Sequence, residues 1–269
     1  MDTRFSAAHR GGAGPPMVCL HGFLDTWRTW ELILPTLERR RDVLAPALAG
    51  HAGGPPLPAA GALHAGALAD AVERAMDAAG FAAADIVGNS LGGYVALQLA
   101  ARRRARTVVA LAPAGGWAAG DESWRETLSL QAELQGATRA AAPQADAIAA
   151  TPAGRRAATA LIVTDPEHMS AELVAHQIRG VAGADGAATL IDHAQREGWP
   201  LDAERITCPV RVIWGTADRL LAWPSAALRY RHDWLPWADW VEMEGVGHCP
   251  QLDAPLATAH LVLGFSDGR

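Results

Sequence analysis

The pentapeptide Gly88-Asn89-Ser90-Leu91-Gly92 constrains this chain more than any other feature in it. It follows the apolar run Ile86-Val87 and precedes a helical pattern carrying Gly93, Val95 and Leu99. A serine with glycines two positions before and two after, set between a strand and a helix, is the sequence form of a tight strand–turn–helix elbow. The glycines are needed because strand and helix crowd such a turn. The turn holds the serine hydroxyl proud of the sheet and places it at a helix N-terminus, where the backbone dipole favours developing negative charge. The competing reading is a plain glycine-rich turn with an idle serine.

An elbow needs a sheet, and the flanking sequence supplies one. Met17–Leu20, Asp42–Ala45, Asp85–Val87, Thr107–Leu111, Pro209–Trp214 and Trp237–Met243 read as short, mostly apolar strands. Helical patterns separate them: Trp30, Ile33, Leu34 and Leu37; then Leu68, Val72, Ala75, Met76 and Ala79, with Gly80 as C-terminal cap; then Leu91–Arg104; and finally Ala254–Phe265. Gly11–Gly14 reads as a loop before the first strand. Strands alternating with helices predict an α/β fold with a parallel sheet covered on both faces. From Trp117 to Trp199 the alternation stops and only helical stretches are visible. This predicts a core formed by residues 1–116 and 200–269, and a helical cap of residues 117–199 inserted at one end of the sheet.

Composition narrows the function. The 269 residues fit one large domain or a domain with an insertion, and 50% hydrophobic content supplies a core. Charged residues are 19%, which argues against disorder, and a net charge of −6 gives no support for a nucleic-acid or anionic-membrane partner. All 23 basic residues are arginine, so Schiff-base enzymes and lysine-bearing phosphate loops are excluded. Cys19, Cys208 and Cys249 are widely spaced, form no CxxC pair and point to a reducing compartment. The segment MDTRFSAAHRGG lacks the apolar stretch of a secretory signal, and no run approaches the roughly 18 apolar residues of a membrane span. A cytoplasmic protein is expected. No HExxH pattern, close His/Cys/carboxylate cluster or dinucleotide-binding glycine fingerprint appears, so neither metal nor cofactor is expected.

A serine becomes a useful nucleophile only beside a base, here a histidine oriented by a carboxylate. Behind an elbow the chain order is serine, acid, histidine. Trp214-Gly215-Thr216-Ala217-Asp218 places Asp218 just after a strand, and Glu244-Gly245-Val246-Gly247-His248 places His248 in a glycine-rich loop after the next. Both positions are carboxyl ends of strands, where open α/β sheets bind ligands. Asp121, Asp233 and Asp239 are rival acids. His9, His64, His168, His176, His193, His232 and His260 are read as surface or structural residues. The cysteines are read as packing. Oxyanion donors are expected from the backbone N–H of Leu91 and of Phe23, in the loop after the first strand. His21 in that loop is read as structural.

These segments resemble the α/β-hydrolase superfamily over nearly the whole chain: MVCLHGF, VLAPALAGHAGG, IVGNSLGGYVALQLA, PVRVIWGTADRL and EGVGHCPQLDAP occur in its order and spacing. The resemblance implies a Ser–His–Asp hydrolase with a helical cap. Epoxide hydrolases and haloalkane dehalogenases, similar in fold, carry an aspartate at the elbow, which makes them disfavoured readings here. The GNSLGG stretch also resembles that of meta-cleavage carbon–carbon hydrolases, although Cys249 stands where those often have tryptophan. Two other departures are Pro46–Ala52 in place of Asp-x-x-Gly-His-Gly and a short N-terminal segment.

The expected reaction is two-step acyl transfer on a small or medium carboxylic ester. Trp27, Trp117, Trp124 and Trp199 are candidate pocket walls, with Trp117 foremost, and Asn89 and Leu220 are expected to line the pocket beside catalytic residues. The alternatives are carbon–carbon cleavage of a diketone and a non-turnover ligand receptor on the same fold.

Overall fold

The computed structural model describes residues 5–59 and 62–268. Residues 1–4 of the stretch tested for a secretory signal lie outside the described residues. The chain runs β1 (Ala8–Gly12), β2 (Pro16–Leu20), α1 (Leu34–Leu37), β3 (Asp42–Pro46), α2 (Ala67–Ala78), β4 (Ala84–Asn89), α3 (Leu91–Ala101) and β5 (Ala105–Leu111). Five helices follow: α4 (Trp124–Ala141), α5 (Ala145–Ala150), α6 (Pro152–Thr159), α7 (Ala171–Ala182) and α8 (Ala187–Glu197). β6 (Val210–Gly215), β7 (Asp239–Met243), α9 (Pro250–Asp253) and α10 (Pro255–Asp267) complete it. No helix among the described residues is long and apolar enough to cross a membrane.

Among the described residues seven strands form one sheet in the order β1-β3-β2-β4-β5-β6-β7. All neighbours are parallel except β1 and β3. Strand alternation sorts the core into two layers. Val18, Leu20, Leu44, Ile86, Val108, Val212 and Trp214 face α2 and α3, meeting Val72, Met76, Val95 and Leu99. Met17, Cys19, Val43, Val87, Val109, Leu111 and Ile213 face the other way, onto Trp30, Ile33, Leu34, Leu37, Val262 and Leu263. The helical segment between β5 and β6 has its own apolar cluster, in which Ala149, Leu173, Val174 and Ile178 pack with Cys249 and Leu252. That contact ties the segment to the loop after β7.

The six strands read from apolar runs are present. β1 is not among them: Gly11 and Gly12, expected in a loop, pair antiparallel with Val43 and Asp42. Its sequence, AHRGG, carries no apolar alternation, and what makes it a strand is the open hydrogen-bonding edge of β3. The pattern Trp30–Leu37 is also broken up, into a 3₁₀ turn at Trp27–Trp30 and the short α1. His64, expected on a helix, lies in the loop before α2.

Candidate active site

β4 occupies the middle of the sheet, paired with β2 through Leu20↔Gly88 and with β5 through Asn89↔Leu111. The chain turns into α3 at Ser90, whose φ of 54° and ψ of −117° lie outside the regions an L-residue ordinarily adopts. The turn is held by the Ser90 N–H donating to Leu111 O (2.8 Å) and by Ser90 O accepting from Tyr94 N and Ala114 N (both 3.1 Å). A Cβ on Gly88 would stand 2.2 Å from Gly92 O, and one on Gly92 would stand 2.2 Å from Leu20 O. Both obstacles are backbone, so neither can move aside. Gly88→Ala is expected to cost about 3 kcal/mol or more, seen as a fall in Tm of about 10 °C. A melting curve matching the parent would disprove the crowding argument.

The second and third groups come from the edge of the sheet that β6 and β7 form. Thr216 N donates to Met243 O (3.0 Å) and Ala217 N to Val246 O (3.0 Å), which clamps the two loops together. Asp218 Oδ1 accepts from Leu220 N (2.9 Å) and Leu221 N (2.8 Å). Its Oδ2 lies 2.7 Å from His248 Nδ1, and both side chains are buried. With Nδ1–H donating to that carboxylate, Nε2 is left to accept, and it has no hydrogen-bond partner among the described residues. His248 and Ser90 line one cavity, as do Asn89 and Leu220.

Asn89 does more than line it. Its Nδ2 donates to His248 O (3.0 Å) and Leu111 O (3.2 Å), and its Oδ1 accepts from Cys249 Sγ and Gln251 Nε2 (both 3.2 Å). The residue beside the elbow serine therefore holds the backbone of the histidine loop. Of the rival acids, Asp239 pairs with Arg211 (2.5 Å), Asp121 caps Ser123 N (2.9 Å), and neither they nor Asp233 line this cavity.

The loop after β2 packs on the elbow, since a Cβ on Gly22 would meet Ser90 Cβ at 3.4 Å. Phe23 lines the site beside it. Leu91 opens α3, so its N–H is one of those a helix leaves without an internal partner. His21 accepts from Leu48 N (2.9 Å) and donates to Gly22 O (2.8 Å), a structural bracket for the loop.

Two cavities meet at the elbow, and Phe23, Ser90 and Gln131 line both. They enclose about 810 and 1060 Å³, including space open to solvent, which is room for a small or medium substrate. The first is apolar, walled by Trp117, Trp124, Trp199, Leu128 and Ile191. Trp27 is not part of it: its indole stacks on His9 and donates to Ser6 Oγ, because the 3₁₀ turn carries it away from the elbow. His193, read as a surface or structural residue, does line it. The second cavity holds Asp25, Gln131, Thr138, Gln177 and His248.

Asp25, Gln131 and Gln177 escaped the sequence reading. Asp25 had a signal, since it follows Phe23 by two residues in the loop after β2; the glutamines, on α4 and α7, had none. Burial pushes the Asp25 carboxyl up to about 6, against the opposing pull of Thr26 N–H, the Thr29 hydroxyl and the His248 charge. The folded protein thus holds a proton that an unfolded aspartate, with its ordinary value of 3.8, releases earlier. Folded stability therefore falls as pH rises from about 4 to above 6. Asp25→Asn removes this penalty and still accepts from Thr26 N. A gain of about 1–2 kcal/mol is expected at pH 8, after discounting for water in the cavity, and none at pH 4. Denaturant melts at the two pH values check this, and equal differences would refute it.

A family model described as the alpha/beta hydrolase fold matches residues 15–255. Epoxide hydrolase EphH of Mycobacterium tuberculosis (strain ATCC 25618 / H37Rv) is 32% identical over 199 residues, covering 74% of this chain and 92% of that protein. The 2-hydroxymuconate semialdehyde hydrolase of Pseudomonas sp. (strain CF600) is 37% identical over 112 residues, which is 40% of this chain and 39% of that protein. Among solved structures, a thermophilic esterase from Thermogutta terrifontis superposes with a TM-score of 0.73 at 18% identity, over 97% of this chain and 93% of that one. The elbow, the strand order and a match spanning most of the sequence agree, and the chain belongs to the alpha/beta hydrolase fold family.

Proposed function

We propose that this protein is a serine hydrolase that cleaves a small or medium carboxylic ester by two-step acyl transfer, with Ser90 as nucleophile, His248 as base and Asp218 as the orienting acid. The observation that carries the reading is the His248–Asp218 pair of 2.7 Å, with Nε2 left without a partner, bordering the cavity that Ser90 also lines. Catalytic hydrogen bonds are often long before substrate binds, so the serine–histidine contact is expected to close in the complex.

In the first step His248 Nε2 takes the Ser90 proton as Oγ attacks the ester carbonyl carbon. The N–H groups of Phe23 and Leu91 receive the developing oxyanion, a contribution of about 3–4 kcal/mol per donor. The bond to the alcohol oxygen breaks, and His248 protonates that oxygen as it leaves. Water then attacks the acyl-enzyme, giving its proton to His248; the Oγ–carbon bond breaks, Oγ regains the proton, and the acid departs. Asp218 holds the imidazole tautomer and stabilises its charged form throughout. Residues 117–199 act as the cap over this site, with residues 1–116 and 200–269 as the core.

Labelling with a fluorophosphonate, together with turnover of p-nitrophenyl acetate, butyrate and octanoate, tests the reading. Ser90-dependent labelling with ester turnover supports it, and absence of labelling sinks it. Carbon–carbon cleavage is the second reading, favoured by the identity with the 2-hydroxymuconate semialdehyde hydrolase across part of the chain. Labelling without ester turnover, but with bleaching of a ring-cleavage product, would select it. The epoxide opening in the name of EphH would require a carboxylate nucleophile at the elbow, where this chain has Ser90.

A further inference from the structure

Gln177 is 8% exposed, borders the second cavity, and neither its Nε2 nor its Oε1 has a hydrogen-bond partner among the described residues. A buried polar atom without a partner has given up its hydration for nothing in return, and Gln177 leaves two. A packed helix tolerates that where a ligand completes the bonds. The amide is neutral and offers one donor and one acceptor face, so it matches a neutral partner that can accept and donate.

The surroundings sharpen the match. Gln131, nearly as buried, lines both cavities beside Ser90. Among the described residues, no arginine lines either cavity, and the chain contains no lysine. The one carboxyl that the described residues place in the second cavity, that of Asp25, repels an anion whenever it is ionised. A carboxylate brought here would lose its water and meet only the imidazole of His248, already paired with Asp218. On the far side of Ser90 the tryptophan-walled cavity is mostly apolar, and the unpartnered polar atoms among its lining residues are Trp199 Nε1, a donor only, and His193 Nε2.

We infer that the second cavity recognises a neutral hydrogen-bonding group of the substrate, a carboxamide or hydroxyl, through Gln177, while the tryptophan-walled cavity takes an apolar group and a carboxylate-bearing substrate is rejected. The inference rests on the acyl-transfer reading for the position of the scissile bond between the two arms. It makes Gln177 a specificity-determining residue and directs the search for substrate to amide- or hydroxyl-bearing esters.

Three benzyl esters that differ in one terminal group test it: benzyl succinamate, benzyl 4-methylpentanoate and benzyl hydrogen succinate. Their Kd values are measured by calorimetry on the Ser90→Ala protein, and kcat/KM on the parent. The succinamate is expected to lead the methylpentanoate by about tenfold and the succinate by about a hundredfold, the scale of a buried hydrogen bond left unmade. Gln177→Met, close in volume, is expected to bring the amide-to-alkyl ratio towards one, and Gln177→Arg to shift preference towards the succinate. Equal or better binding of the succinate, no discrimination at all, or a ratio unmoved in Gln177→Met overturns the inference. The parent and Ser90→Ala measurements decide it even where a Gln177 variant does not fold. Binding in the expected order without turnover of any ester would instead remove the acyl-transfer reading and leave the recognition in place.

Discussion

Ser90→Ala is expected to lower kcat/KM for any ester the parent hydrolyses by at least about 10⁴-fold, since nucleophile and base act as one unit. The fold should survive. Ser90 holds the elbow through its backbone N–H and O, bonded to Leu111, Tyr94 and Ala114, and alanine keeps all of these. The variant should therefore melt close to the parent and lose fluorophosphonate labelling. Turnover within tenfold of the parent, at normal folding, would show that another group is the nucleophile. The cysteines are poor substitutes: Cys249 is the one that borders the cavity, and burial holds its thiol well above the ordinary range.

Asp218→Asn is expected to reduce kcat by about 10⁴-fold with a much smaller change in KM. The mutant amide keeps an oxygen for Leu220 N and Leu221 N, the two bonds made by Oδ1. It then presents an N–H to His248 Nδ1, where the carboxylate presented an acceptor. The imidazole responds by moving its proton to Nε2, which can no longer accept from Ser90. The loss thus comes from a tautomer and not from a missing contact. Steady-state kinetics and the imidazole nitrogen shifts of His248 check the two halves separately. A variant with parent-like kcat would assign the acid to another carboxylate.

Most of the sheet was legible because its strands are buried on both faces, and such strands are continuous apolar runs. The elbow was legible because backbone meets backbone there, at 2.2 Å from the missing Cβ atoms, and only glycine permits it. That Asp218 and His248 would lie together was legible from their places after neighbouring strands, which the order of an open sheet brings to one edge. β1 was not, because AHRGG has no pattern of its own and takes its conformation from β3. The helix expected through Trp30–Leu37 broke because its apolar residues pack under the sheet in two short turns, one of which points Trp27 at His9.

The sequence by itself determined the fold family and the elbow that carries Ser90, since each is a local pattern tied to a strand end. Only the tertiary structure decided how the substrate space divides. Gln131 and Gln177 sit on α4 and α7, far apart in the chain, and Asp25 on a loop of the core. Nothing in the periodicity of any one helix marks the residue that will face a cavity instead of a neighbour. That depends on how α4, α7 and α8 dock over Ser90, and docking is a property of surfaces assembled from distant segments. The same docking set three tryptophans on one side of Ser90 and a neutral amide on the other.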